Sequence, residues 1–170
     1  MTESHTLSAS RDFGERVLRL FETLRTPADL APNHIEAVAG ISVRRSAANP
    51  QIYGFGKRLD ARWICNLVTL PRTDARDEPN RLEVSFDDQT GEYDDLSGVS
   101  GLDFDDYSNA LDAAGYARQA AMGSRDTFYG YDFTRGPVSI RVRVRAENIE
   151  NPTHLCVESM IVEIGEVRHA

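Results

Sequence analysis

No stretch of this sequence approaches the ~20 consecutive apolar residues that a membrane-spanning helix needs. The polar start, Met1–Ser10, also lacks the apolar run of a signal peptide, so a cytoplasmic location is expected. Cysteine is scarce. Cys65 and Cys156 each sit in an apolar strand-like run and are read as reduced, buried thiols, not as a disulfide framework. Histidine numbers four (His5, His34, His154 and His169), and none is flanked by the signature of a nucleophile–histidine–acid hydrolase.

Ligand sets are equally thin. There is no paired-cysteine motif and no pair of histidines one helical turn apart, so no metal site is assigned. Asp87-Asp88-Gln89-Thr90-Gly91-Glu92 lacks the alternating order of acids that a calcium loop requires. Ser97–Gly101 is glycine-rich and precedes a helix, but no lysine follows and the neighbouring aspartates repel phosphate. No cofactor and no catalytic residue is therefore assigned, and a binding protein is expected in preference to an enzyme. Paired-carboxylate chemistry stays open, because acids are plentiful and sequence does not give their separations.

Basic residues are missing from one long segment. Leu82–Ala117 holds no lysine or arginine but ten carboxylates, while the rest of the chain carries a net +2 against an overall −8. That balance excludes a nucleic-acid binder held by phosphate contacts. It suggests an electrostatic docking surface for a partner protein with a basic face, with Asp87, Asp88, Glu92, Tyr93, Asp94 and Asp95 as contacts. The expectation needs these charges gathered in one patch and not already neutralised. The bland reading of the segment is a solvated connector.

The chain is long enough for one domain with a substantial core. Phe13, Val17, Leu20, Phe21 and Leu24 share a helical face, predicting a helix over about Asp12–Arg25 with Asp12 as its cap. A short helix over Pro32–Ala39 should stop at Gly40, and another over about Phe104–Ala114 should be capped by Asp103. Strands are expected near Ile41–Val43, Gln51–Lys57, Arg62–Leu70, Arg81–Phe86, Tyr116–Ala120, Thr127–Phe133, Val138–Ala146 and His154–Ile164. Arg62–Leu70 is apolar on both faces and reads as a central strand. In the last strand the inward set switches from Leu155 and Val157 to Met160, Val162 and Ile164, which requires a bulge near Glu158-Ser159.

The two halves also read alike. Gly40-Ile41 matches Gly115-Tyr116, and Ile52-Tyr53-Gly54-Phe55 matches Phe128-Tyr129-Gly130-Tyr131. Ile64 and Val68 fall on Ile140 and Val144, and Pro79–Val84 on Pro152–Val157. The expected fold is α+β: one domain over 1–170 with two tandem units, 11–90 and 102–165. Each unit has a helix and a four-stranded antiparallel sheet, with the helices packed on one face. Arg141, Arg143 and Arg145 alternate with Val138, Ile140, Val142 and Val144, so they should point from the packed face and offer an alternative contact surface. The faces of Tyr53, Phe55, Tyr129 and Tyr131 stay open.

This plan of two tandem helix-and-four-strand units is similar to that of the beta-lactamase inhibitor protein, without its disulfides and with no contact residue to carry over. The small acidic format resembles immunity proteins that neutralise bacterial toxins, which implies a binding protein that occludes a toxin. A secretion chaperone for an exported effector is the alternative. Oligomeric state is left open.

Overall fold

The computed structural model describes residues 2–72, 74, 76 and 78–165, with the side chains of 2–4 left aside. Three helices, α1 (Thr2–Thr23), α2 (Pro32–Ala39) and α3 (Phe104–Ala113), lie against eight strands. These are β1 (Arg44–Arg45), β2 (Tyr53–Arg58), β3 (Trp63–Leu70), β4 (Arg81–Asp88), β5 (Ala117–Met122), β6 (Phe128–Arg135), β7 (Val138–Ala146) and β8 (Leu155–Ile164). The α+β class holds, but two separate four-stranded sheets do not form. The strands make one sheet in the order β1-β2-β3-β4-β8-β7-β6-β5, every neighbouring pair antiparallel. The joining pair is β4 with β8, where Val84 faces Met160 and Ser85 faces Ser159. Pairing there satisfies two edges that would otherwise expose unbonded backbone groups.

Period-two alternation decides which side chains meet the helices. Trp63, Cys65, Leu67 and Thr69 of β3 are buried with Leu82, Val84, Phe86 and Asp88 of β4. Val138, Ile140 and Val142 of β7 join them with Met160, Val162 and Ile164 of β8. From the helical layer, Phe13 of α1 meets Phe55 and Phe86 at ring separations of 6.2 and 5.8 Å. Phe104 of α3 stacks on Tyr131 at 4.8 Å. Helices α1 and α3 thus cover the same face, and α2 packs against α1, where Arg16 donates to the Ala39 carbonyl. β3 is interior to the sheet but covered on one side only: Ile64, Val68 and Leu70 lie half-buried on the other.

Helix α2 and its left-handed stop at Gly40 (φ 66°) fall where the sequence puts them. In α3, Asp103 accepts from the Asp106 N–H and Asp106 returns the bond to the Asp103 N–H, a capping box. Helix α1 departs from expectation by starting at Thr2, with Asp12 inside it and paired to Arg16 at 2.9 Å instead of capping. The early turns show no apolar periodicity because small polar residues do the packing. Ser10 accepts from the Gly101 N–H, Thr6 donates to Asp60, and both are buried. Ile41 and Val43 are not in a strand, since β1 begins at Arg44.

The bulge in β8 is present. Arg143 faces Ser159 and Val144 faces Val157, so Glu158 is the extra residue. Cys156, Val157 and Glu158 are buried in succession, which alternation alone does not allow. Both cysteines are free and buried. Burial pushes each thiol up to about 11, leaving both protonated and unreactive at neutral pH.

Candidate functional site

With the helices on one face, the other face of the sheet is bare among the described residues. Its rows run across the strands. Val68, Glu83, Ile161, Arg141 and Asp132 form one row, and Asn66, Ser85, Ser159, Arg143 and Gly130 the next. At the β2 end the floor is backbone, because Gly54 and Gly56 carry no side chain. A shallow groove of about 470 Å³ lies there, bounded by Asn66, Val68, Glu83, Ser85 and Asp87. Asp87 accepts from the Asn66 amide.

The β7 half of the face is basic and aromatic. Arg141, Arg143 and Arg145 point outward as the alternation requires, with side-chain exposures of 53, 41 and 39%. Each also has an internal carboxylate. Arg141 makes a two-pronged contact with Asp132 at 2.8 and 3.0 Å, while Arg143 and Arg145 converge on Glu158. The bulge is what turns Glu158 toward them. Two guanidiniums share one carboxylate, so this corner keeps a positive surplus.

Tyr129 lies between arginines, its ring centre 5.9 Å from the Arg141 guanidinium and 5.2 Å from that of Arg143. It reaches the bare face because the β5–β6 register shifts between Ala121 and Met122, leaving Tyr129 out of the pairing. Its three companions go the other way. Tyr53 donates to the Leu30 carbonyl and burial pushes its hydroxyl up to about 12, Phe55 meets Phe13, and Tyr131 meets Phe104.

The acidic segment is not one patch. Asp88 is a buried structural group whose side chain is fully enclosed. It accepts from Arg62 at 2.6 Å, from Thr90 and from the Tyr93 N–H. Burial opposes its charge, yet these donors hold its carboxyl well below the usual range. Asp94 pairs with the same Arg62 at 2.5 Å, and Asp95 accepts from the Ser97 N–H. Asp103 and Asp106 cap α3, while Asp105 and Asp112 lie exposed on that helix. The ten carboxylates thus go to a buried pair, to turns and caps, and to two faces of the molecule. Of the acidic residues expected as contacts, Asp87 lies on the bare face. Glu92 and Asp94 are exposed beyond the end of β4, and Asp88 is out of reach. Tyr93 is half-buried against Trp63 and beneath Arg145.

Glu83 and Ile161 are members of this face that sequence reasoning did not single out, although strand alternation marked Glu83. Tyr129 was among the aromatics whose face the sequence left open, and the register shift that brings it here has no mark in the sequence. Of the histidines, His34 accompanies Thr23 and His154 lies between Asp103 and Glu147, while His169 lies outside the described residues. Among the described residues no group of three or more His, Cys, Asp or Glu side chains is arranged to hold a metal ion. No helix among them is long and apolar enough to cross a membrane. Comparison with protein-family models, curated proteins and solved structures finds no match.

Proposed function

We propose that this chain is a protein-binding protein that neutralises a partner by laying the bare face of its sheet over it, the role of an immunity protein that occludes a toxin. One observation carries the reading: the central strands β2–β4 and β6–β8 are covered by helices on one face, while the other carries no helix among the described residues. That open face presents arginines and a tyrosine, residue types enriched where proteins meet, beside aliphatic side chains and a glycine floor. The proposed contacts are Asp87, Glu83, Tyr129, Ile161, Arg141, Arg143 and Arg145. Glu92, Tyr93, Asp94 and Asp95 form a rim at the end of β4. Since most arginines here already have a carboxylate, the fit to a partner is one of shape and paired charges more than of net attraction.

We further propose that the sheet arose as two tandem units joined at β4 and β8. Phe55 faces Leu67 as Tyr131 faces Val142, so β2 maps onto β6 at an offset of 76 and β3 onto β7 at 75. Leu67 faces Val84 as Val142 faces Met160, which maps Val84 onto Met160. Those two residues face each other, as a local two-fold axis through the joining pair demands. The glycines agree. A side chain on Gly54 would meet the Leu67 carbonyl at 2.5 Å, and one on Gly130 the Val142 carbonyl at 1.9 Å. Two of the sequence matches give way: Ile64 does not map onto Ile140, because Ile64 lies on the open face and Ile140 in the core, and Val84 maps onto Met160 and not onto Val157. Apolar residues on both faces of β3 hide that one-residue slip.

The test is capture of the partner from cells by the immobilised chain. Arg143→Glu combined with Ser159→Trp should abolish capture, and Glu22→Lys combined with Asp112→Lys on the helical side should leave it intact. The reverse pattern would place the contact on the helices and end this reading.

A further inference from the structure

The two ends of the sheet are unlike. At one end β1 is two residues long and presents Arg44 and Arg45, the short and charged edge that resists pairing. At the other end β5 runs six residues, Ala-Arg-Gln-Ala-Ala-Met, with its outer backbone groups unpaired and every residue but Ala121 exposed. Beside it Met122 and Phe128 keep 53 and 47% of their surface in solvent, two of the four large apolar residues so exposed among those described. The strand's one charge is drawn inward. Arg118 donates to the Ser108 hydroxyl at 3.0 Å and lies 5.1 Å above the Tyr131 ring. Against a further strand this edge sets only that one arginine and the register shift between Ala121 and Met122, and no proline, helix or loop among the described residues covers it.

We infer that β5 pairs with β5 of a second copy, antiparallel about a two-fold axis at Ala120, extending the sheet through a homodimer. The register follows from the strand's own pattern. In antiparallel pairing, opposed residues point to the same side of the sheet, so a symmetric pairing centres on a residue. Centring on Arg118 sets two guanidiniums face to face, which is destabilising. Centring on Gln119 leaves Met122 outside the paired strand. Centring on Ala120 places the smallest side chain on the axis, Gln119 against Ala121, and Met122 over the aliphatic stem of the other copy's Arg118. The two Arg118 side chains are then four residues from each other along the seam. A second copy is favoured over an extended segment of another protein because this register is self-complementary from Arg118 to Met122 and leaves only Ala117 outside the seam. A seam of one strand pair is small, at the low end of specific interfaces, so the dimer depends on concentration.

The experiment is sedimentation of the full chain over a concentration series, with oxidative cross-linking of single-cysteine variants. The wild type should move toward twice the monomer mass as concentration rises, and Ala120→Asp should stay monomeric with an unchanged circular dichroism spectrum. Opposed Cα atoms in an antiparallel pair stand about 4.5–5.5 Å apart, within disulfide range. Ala120→Cys should therefore cross-link to a dimer, and Arg118→Cys should not. Three results would overturn the inference: a monomer at every concentration, a dimer that survives Ala120→Asp, or cross-linking at Arg118→Cys in place of Ala120→Cys. Protection of β5 amides that appears only when a different protein is added would overturn it too, by assigning the edge to that protein.

Discussion

Val84 and Met160 face each other across the pairing of β4 with β8, and both are buried in the core. The contact joins residues 76 apart in sequence at the middle of the sheet, so the two halves share one core and should unfold together. Met160→Ala removes buried volume at that seam and should cost about 2–5 kcal/mol. Met122→Ala, on the exposed edge, should stay within about 0.5 kcal/mol. Urea unfolding followed by circular dichroism measures both, and a transition in two separate steps would contradict the shared core.

Of the sheet's glycines, Gly130 leaves the least room for a side chain. A Cβ there would stand 1.9 Å from the Val142 carbonyl oxygen, so β6 and β7 must part to admit it. Gly130→Ala should destabilise by about 1–3 kcal/mol, the range for overpacking. Gly91→Ala has open space around its Cβ and differs only in backbone strain (φ 74°), so it should cost less. Thermal unfolding of the two variants decides the order.

Arg62 ties Asp88 and Asp94 to the start of β3, and Asp88 in turn organises the turn through Thr90 and Tyr93. Asp88→Asn should cost about 2–3 kcal/mol, less than a fully enclosed pair because Arg62 keeps 29% of its side chain in solvent. Because the Asp88 carboxyl is depressed, its contribution is present above the ordinary carboxylate pKa and is lost as pH falls through the lower folded value. Acid titration of wild type and Asp88→Asn should therefore converge at low pH.

His154 bridges Asp103 and Glu147 at 3.0 Å each, clipping the start of α3 to the β7–β8 turn. Its hydrogen bonds to Asp103 and then Glu147 raise its pKa above the ordinary value of 6.5. The clip's stabilisation is complete below that ordinary value and fades as pH rises through the raised one. Melting temperatures of wild type and His154→Gln should differ most below the ordinary value of 6.5 and converge as the pH rises through the raised one. A difference independent of pH would mean that His154 acts by packing alone.

Much of this was legible in the sequence because alternation and capping are local. Pro32–Ala39 with Gly40, the Asp103 cap, the β8 bulge at Glu158 and the outward arginines of β7 all follow from residues near in sequence. What escaped depends on distant partners. Thr2–Ser10 lack apolar periodicity, and their part of the helix is held by Gly101 and Asp60. The joining of two sheets into one needs β4 and β8 to meet edge to edge, which no local pattern announces. The acidic segment looked like a patch because charges close in sequence were assumed close in space. Arg62, 26 residues before Asp88, neutralises part of it from another strand.

The central claim, that a partner docks on the bare face, is tested most directly by side-chain footprinting of the chain alone and with its captured partner. Tyr129, Glu83, Asp87 and Ile161 should lose reactivity on binding, while Glu22 and Asp112 on the helical side should not change. Protection of the helical side, with the sheet face still reactive, would contradict it.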